Sequence, residues 1–200
     1  FPKQIVFGAR HGLFAWPLLG RVIKELGTVP IYRGQDVKKW SLEDQRLKNA
    51  ESLELMAKAI SSGSFSALFP EGISHDAPFV HSLKTGAARI YYQARKQGKE
   101  DKPPVIIPVG LHYDRKQRFR SNVLVHFHPP MEIPEALNRL PSSEEEKAFQ
   151  KALTHEMEKV LTEVIFATES WEVHQIIHCA VSLIASERRK RAGNRKGHIP

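Results

Sequence analysis

Apolar residues along this chain recur with two spacings, and the two spacings alternate. Short apolar runs, typical of buried strands, occupy residues 3–9, 28–32, 65–69, 105–111 and 123–127. Apolar residues recur every three to four positions, as on one face of a helix, over residues 13–26, 41–61, 83–97, from 142 or 143 onward, and 170–190. This alternation predicts an α/β fold with a largely parallel central sheet flanked by helices and followed by C-terminal helices.

Local signals sharpen three of these elements. Ser41 followed by Asp44 resembles a capping box at the start of the helix 41–61. The run 105–111 is apolar throughout, which predicts a central strand covered on both faces. Pro108 inside that run predicts a bulge or an irregular end, since proline has no N–H for a strand ladder. Ser142 or Ser143 is the predicted cap of the long helix that follows.

Charge and composition narrow the possible partners. The net charge is +8 and the isoelectric point is about 9.6, which favours partners that carry phosphate. A single cysteine excludes an internal disulfide and a cysteine-based metal cluster. His126 and His128 alternate on a predicted strand and could pair on a metal, although no third ligand follows from the spacing and solvent-facing histidines are favoured. No apolar run approaches the roughly 18–20 residues of a membrane span.

The segment from Ser64 to Asp76 is the first candidate site. Its apolar run is closed by Pro70 and Gly72, and this Pro-x-Gly pattern predicts a sharp turn directly after a buried strand. Glu71 and the polar residues that follow it then lie just past the carboxyl end of the strand, where open α/β sheets form ligand clefts. An ordinary polar surface turn is the alternative.

Basic residues stand directly after other predicted strands or at the predicted start of a helix. Arg33 follows the second strand and Arg10 the first, and an arginine at such a place is a reasonable anion contact. Lys84 and Gly86 stand at the predicted start of the helix 83–97, where free N–H groups and the helix dipole suit an anion. For Arg33, a solvated loop side chain is the alternative.

Four blocks in order carry a resemblance to a known family. They are Gly27-Thr-Val-Pro-Ile-Tyr-Arg33-Gly34, Leu68-Phe-Pro-Glu-Gly-Ile-Ser74, Lys84-Thr-Gly86 and Ile107-Pro-Val-Gly-Leu111. Together they resemble the glycerolipid acyltransferases that act on glycerol-3-phosphate or lysophosphatidate, over about residues 1–130. The resemblance implies acyl transfer from acyl-CoA or acyl-carrier protein to a hydroxyl of a phosphorylated glycerol, without a cofactor. The alternative is a catalytically inactive relative that binds lipid or phosphate.

The resemblance also implies roles for particular residues. Arg33 would hold the acceptor phosphate, with Lys84 as a second contact and Arg10 as a third. The acceptor pocket and its surroundings would be formed by Phe69, Pro70, Glu71, Gly72, Ser74 and Gly86. The family's general base is a histidine in an H-x4-D motif, and none of the ten histidines here has an aspartate five positions on. We therefore expect that pair upstream of Phe1 and predict no catalytic residue within this chain, which alone would be inactive.

Organisation and location follow as expectations. Residues 1–140 are predicted to form the acyltransferase domain, truncated at its amino end, and residues 141–200 the C-terminal helices and a basic tail. The basic cluster Arg188, Arg189, Lys190 and Arg191 could lie on an anionic membrane surface, which places the protein at the cytoplasmic face of a membrane. The alternative is a set of cations that complete a helix end. No nucleic-acid-binding module is recognisable.

Overall fold

The structure is a computed structural model and describes residues 4–33, 40–73, 75, 77–99, 102–113, 117–165 and 168–195. The strands are β1 (Ile5–Arg10), β2 (Val29–Ile31), β3 (Phe65–Ala67), β4 (Val109–Tyr113) and β5 (Val123–Phe127). The α-helices are α1 (Leu19–Glu25), α2 (Leu42–Ser61), α3 (Gly86–Gln97), α4 (Glu146–Val164) and α5 (Trp171–Arg195). Short 3-10 helices span His11–Ala15 and Glu135–Leu137.

Three of the strands form a parallel sheet in the order β2-β1-β3. Arg10 on β1 pairs with Ile31 on β2, and Phe7 pairs with Ala67 on β3. A mixed α/β fold with a parallel sheet confirms the predicted fold class. Because the strands are parallel, their carboxyl ends lie on the same side of the sheet. The segments that follow all three strands therefore begin there, which is where the candidate residues were expected.

The predicted central strand at 105–111 is wrong. β4 begins directly after Pro108 and pairs antiparallel with β5, as a two-stranded sheet separate from the first. Proline has no N–H to give to a ladder, so the strand starts where the first regular donor becomes available. The side chains of Val105 and Ile107 are exposed, so this part of the run is not the buried centre of a sheet.

Helix α2 packs against one face of the parallel sheet and builds the first part of the core. Leu53, Met56 and Ala57 are buried there, together with Val29 of β2 and Ile90 of α3. Strand alternation directs Val6 and Gly8 toward this helix and turns the side chains of Ile5, Phe7 and Phe65 to the opposite face, where all three are exposed.

A second cluster joins α3 to α4. Tyr91 and Tyr92 of α3 pack with Leu153 and Met157 of α4, and all four are buried. Burial raises the pKa of Tyr92 to about 12, and its hydroxyl donates to the carbonyl of Leu137 at 3.0 Å. The division of the chain at residue 140 stays a prediction.

The start of α2 was predicted correctly, whereas the starts of three other helices were not. Ser41 caps α2 by accepting from the N–H of Asp44 at 2.9 Å. The predicted helix 83–97 begins only at Gly86, so Lys84 precedes it. The N-cap of α4 is Glu145, whose carboxylate instead accepts from the N–H of Ser142 at 3.0 Å. The predicted helix 13–26 divides into the first 3-10 helix and α1.

Helix α5 contrasts with the rest of the chain in its exposure. Its exposed apolar side chains are Trp171, Val173, Ile176, Ile177, Val181, Leu183 and Ile184. The basic cluster Arg188–Arg191 follows in the same helix. Among the helices that the structure describes, none has the length and hydropathy to cross a membrane.

Candidate functional site

The segments that follow β2 and β3 meet through one long-range contact. The guanidinium Nη1 of Arg33 donates to the carbonyl of Gly72 at 3.4 Å, although 39 residues separate the two. The backbone N–H of Lys84 donates to the carbonyl of Pro70 at 2.8 Å. A Cβ built on Gly72 would lie 3.4 Å from Cγ of Lys84. The structure therefore brings together Arg33, Lys84 and the turn 69–72.

The turn itself has the form that its sequence predicts. The N–H of Gly72 donates to the carbonyl of Phe69 at 3.2 Å, which closes a four-residue turn with Pro70 at its second position. Gly72 has φ of +69°, a region that side chains with a Cβ disfavour. The turn reverses the chain after β3, and Phe69 within it is 67% exposed.

Glu71 is fixed by contacts within its own loop. Its Oε2 contacts the imidazole Nε2 of His75 and accepts from the backbone N–H of His81 at 3.4 Å. The rings of His75 and His81 meet edge to face, with 4.2 Å between their centroids. The Glu71 side chain is about one-fifth exposed, at 21%. The imidazole and the carboxylate therefore both lie at the turn that Arg33 contacts.

The remaining predicted site residues are arranged less closely. Arg10 ends β1 opposite Ile31 and is exposed, so it occupies the same sheet edge as Arg33, two residues earlier in register. Gly86 faces α2, because a Cβ built there would lie 3.9 Å from Cδ2 of Leu53. Ser74 of the second motif block, like Gly34 of the first, lies outside the described residues.

The anion role expected for Lys84 rested on its place at a helix start. However, α3 begins two residues later, at Gly86. The N–H of Lys84 donates to the carbonyl of Pro70, so it is not a free donor at a helix start. Its side chain is exposed beside the turn. A contact with phosphate stays a prediction, and it would come from the charge of the ammonium group rather than from a helix dipole.

The same loop is also joined to the C-terminal part of the chain. The backbone N–H of Thr168 donates to the carbonyl of Pro78 at 2.8 Å, across 90 residues of sequence. Pro78 follows Glu71 in the loop that leads to Lys84, and Thr168 precedes α5. One backbone hydrogen bond therefore links the candidate site to the start of the exposed helix.

Sequence reasoning missed the residues that hold Arg33 in place. The amide of Asn49 accepts from the N–H of Tyr32 at 2.9 Å and donates to the carbonyl of Tyr32 at 2.7 Å. Gln45 donates to that same carbonyl at 2.9 Å. Gln45, Asn49 and Ser52 recur at helical spacing on α2, and this polar stripe beside the apolar face is the signal that could have revealed them.

Three rings form a second group that sequence reasoning missed. The imidazole of His11 stacks on Tyr32 with 4.6 Å between centroids, and Tyr32 stacks on Trp40 with 5.1 Å between centroids. Strand pairing places His11 beside Tyr32, because the residues before them, Arg10 and Ile31, are partners in the sheet. No short sequence signal marks this group, since its members are far apart along the chain.

The family model described as Acyltransferase matches residues 1–112, which is more than half of the chain. The chain belongs to the acyltransferase family. This confirms the family to which the four motif blocks pointed, and the match includes the segments that carry Arg10, Arg33, the turn 69–72 and Lys84. Membership of the family supports an acyltransferase kind of activity in general, and it assigns no role to any of these residues.

Two curated relatives give the range of similarity. An uncharacterized acyltransferase of Schizosaccharomyces pombe is 32% identical over 111 residues, which cover 52% of this acyltransferase chain and 16% of the relative. Glycerol-3-phosphate O-acyltransferase 1 of Saccharomyces cerevisiae is 31% identical over 115 residues, which cover 55% of this chain and 14% of the relative. The chain thus matches about a sixth or less of these curated relatives' length.

A solved structure is also similar. The 1-acyl-sn-glycerophosphate acyltransferase PlsC of Thermotoga maritima is 19% identical, with 78% of this chain and 57% of that chain covered and a TM-score of 0.41.

Proposed function

We propose that this acyltransferase chain is part of an enzyme that transfers an acyl group from acyl-CoA or acyl-carrier protein to a hydroxyl of a phosphorylated glycerol. Glycerol-3-phosphate and lysophosphatidate are the two acceptor candidates, in keeping with the names of the relatives. The observation that carries the proposal is the contact of Arg33 with the carbonyl of Gly72, which joins a cation to the Pro70–Gly72 turn at one sheet edge.

The reaction needs a base and an anion-binding site. The acceptor hydroxyl oxygen forms a bond to the thioester carbonyl carbon, the C–S bond breaks, and the hydroxyl proton passes through the base to the departing thiolate. We place the base in an H-x4-D pair upstream of Phe1. General-base catalysis of this kind needs no covalent acyl-enzyme.

We assign the acceptor phosphate to the cations at the sheet edge. Arg33 offers two-pronged hydrogen bonding that matches phosphate geometry, and the Lys84 ammonium adds a point charge next to the same turn. Arg10 is the third and more distant cation on that edge. Glu71, fixed by His75 and His81, would accept from an acceptor hydroxyl and set its orientation.

Two substitutions in the full-length protein test these roles. Arg33→Ala is expected to lower kcat/KM for the phosphorylated acceptor about 100-fold, since a charge-assisted contact is removed. Glu71→Ala is expected to impair turnover strongly. Arg21→Ala, an exposed arginine of α1, serves as the control and should retain activity. Unchanged turnover in both Arg33→Ala and Glu71→Ala would contradict the proposal.

The second candidate is a non-catalytic relative that binds lipid or phosphate with the same residues. The absence of an H-x4-D pattern among the histidines of these 200 residues favours it. Reading the coding sequence upstream of Phe1 separates the two, because an enzyme requires the His–Asp pair there. A protein that binds glycerol-3-phosphate yet forms no acylated product, with no such pair upstream, would be this relative.

We also propose that α5 lies on an anionic membrane surface at the cytoplasmic face. Its exposed apolar side chains could enter the interfacial region, and Arg188, Arg189, Lys190 and Arg191 could pair with acidic headgroups. Sedimentation with phosphatidylserine vesicles should decrease several-fold in the Arg188→Glu/Arg189→Glu variant. The matched control, Lys147→Glu/Lys151→Glu on α4, should sediment like the unaltered protein. Equal sedimentation of both variants would refute this surface.

A further inference from the structure

Among the strands that the structure describes, β2 lies at the edge of the parallel sheet, so its outer backbone groups face away from β1. Side chains of α2 take the place of a neighbouring strand on that side. The hydroxyl of Ser52 donates to the carbonyl of Pro30 at 2.7 Å, and Asn49 and Gln45 bind the backbone of Tyr32. Ser52 is only 4% exposed, while Asn49 and Gln45 are half-buried, and we call these three side chains the polar seam. An edge bound by side chains is satisfied without any further strand.

Asn49 is the member of this seam that makes two bonds to one residue. Its carbonyl oxygen accepts from the Tyr32 N–H at 2.9 Å, and its amino group donates to the Tyr32 carbonyl at 2.7 Å. A carboxamide carries both a donor and an acceptor, so it can bind both backbone groups, as a neighbouring strand would. Alanine at this position would lose both bonds.

The side chain of Tyr32 is held as well as its backbone. Its ring contacts both His11 and Trp40, at centroid distances of 4.6 and 5.1 Å, and those two rings also meet each other at 6.2 Å. Stacked rings in this range attract one another beyond simple area burial. The residue before Arg33 is therefore fixed both at its peptide groups and at its ring.

The fixed position of Tyr32 also restricts the backbone of Arg33. Arg33 follows Tyr32 directly, and its guanidinium reaches the carbonyl of Gly72 at 3.4 Å. A long side chain that starts from a mobile backbone would spread over many positions, whereas one that starts from a fixed peptide is restricted. The order of the contacts runs from Asn49 to the Tyr32 peptide and from there to Arg33.

We propose that Asn49 is a positioning residue that sets where Arg33 presents its guanidinium to a phosphorylated acceptor. The inference rests on the function proposed above. It goes further because it assigns substrate affinity to a residue of α2 whose side chain binds the backbone of Tyr32, directly after β2. Gln45 supports the same carbonyl with a single bond and has a smaller share.

The first measurement tests the bonds themselves in the full-length protein. Hydrogen–deuterium exchange of the peptide that spans residues 29–33 should become about tenfold faster in Asn49→Ala, because the Tyr32 N–H loses its acceptor. Ser52→Ala is the matched control, since it removes a bond of similar length from the same seam but one that protects no N–H. Unchanged exchange in Asn49→Ala would overturn the inference.

The second measurement tests whether the effect passes through Arg33. In Asn49→Ala the KM for the acceptor is expected to rise about tenfold while the KM for the acyl donor stays within about twofold, and Gln45→Ala should shift the acceptor KM less in the same direction. Ser52→Ala should leave the acceptor KM within about twofold even where it lowers the midpoint of thermal unfolding. In an Arg33→Ala background, Asn49→Ala should add no further loss, as coupled residues do.

The outcomes separate this inference from the proposed function. If the loss from Asn49→Ala persists in full in the Arg33→Ala background, Asn49 acts elsewhere and the positioning role is refuted, while the proposed function stands. If Arg33→Ala alone leaves the acceptor KM unchanged, the proposed role of Arg33 fails and the positioning role fails with it. A rise in acceptor KM for Ser52→Ala equal to that for Asn49→Ala would reduce Asn49 to a structural residue.

Discussion

The end of the parallel sheet and helix α5 use their side chains in opposite ways. At the sheet end, polar groups of α2 bind an edge strand, rings stack on Tyr32, and Arg33 contacts the turn at Gly72. Along α5, apolar side chains such as Ile176 and Leu183 are largely exposed. The first region has its contacts within the chain, whereas the second presents surface that a partner could cover.

The two regions correspond to two different demands on the proposed acyltransferase, which would bind a phosphorylated acceptor and contact a membrane surface. A site that must hold a phosphate needs cations at fixed places, because a misplacement of about 1 Å can cost about a hundredfold in rate. A helix that contacts a fluid surface needs no fixed partner, and its apolar and basic side chains suffice. Rigid packing is therefore expected to matter for the sheet end and not for α5.

The largest expected effect comes from removing the packing beneath the sheet end. Met56 is fully buried, and Met56→Ala is expected to lower the free energy of unfolding by about 3 kcal/mol, because it leaves a cavity between α2 and β1. Ile176→Ala on α5, 68% exposed, should change it by less than about 0.5 kcal/mol. Denaturant titrations measure both. Equal losses would mean that α5 is packed as firmly as the sheet.

The next effect depends on pH and concerns α3. Burial raises the pKa of Tyr92 to about 12 from an ordinary value of 10.0, so folding favours the neutral phenol. The resulting stability is complete below pH 10 and is lost as the pH rises toward 12, by about 2 kcal/mol. Tyr92→Phe should remove this alkaline slope, and Tyr113→Phe, an exposed control, should retain it. A flat profile in the unaltered protein would contradict the prediction.

A smaller effect is expected at the turn. Gly72→Ala places a Cβ at φ of +69° and should cost about 1 kcal/mol, while the space toward Lys84 remains adequate. Gly86→Ala is the control, because a Cβ there meets Leu53 at an ordinary 3.9 Å, and a helix favours alanine over glycine. Thermal unfolding of the two variants should therefore shift in opposite directions. A Gly72→Ala variant as stable as the unaltered protein would mean that the turn tolerates a side chain.

The smallest effect lies outside both regions and serves as a reference. A hydrogen bond from Arg139 lowers the pKa of Glu145 to about 2, with a further contribution from the N–H of Ser142. Its contribution to stability is present above pH 4.5 and is lost as the pH falls toward 2. Glu145→Gln should remove this acid slope and shift the unfolding midpoint less than any change above, since the pair is exposed. An NMR titration of the Glu145 carboxyl measures the pKa directly.

Local signals predicted the parts of the fold that local physics determines. The start of α2 at Ser41 is an example, because a hydroxyl cap stabilises a helix end through bonds within one turn of chain. The turn at Pro70 was predicted for the same reason. In contrast, the separate pairing of β4 with β5 depends on contacts between strands, and an apolar run cannot reveal which strand it joins.

The sequence named the cations of the candidate site, but it did not name the residues that hold their backbone in place. Arg33 and Lys84 stand in motif blocks, so their places could be named from the sequence, although the start of α3 was misplaced by a run that looked helical from Leu83. Asn49 was not singled out from the sequence, because an amide on a helix surface usually meets solvent. Its partner, Tyr32, is 17 residues away, and nothing local records that pairing.

The hydrogen bond between Thr168 and Pro78 limits how far the loop that contains Glu71 can lie from the start of α5. The first residue of α5, Trp171, comes three positions after Thr168, which limits the distance between the two to about 11 Å even in a fully extended chain. If α5 rests on lipid headgroups, the loop of Glu71 is then anchored at a fixed height above them. An acceptor whose tail remains in the bilayer could present its hydroxyl there without leaving the membrane.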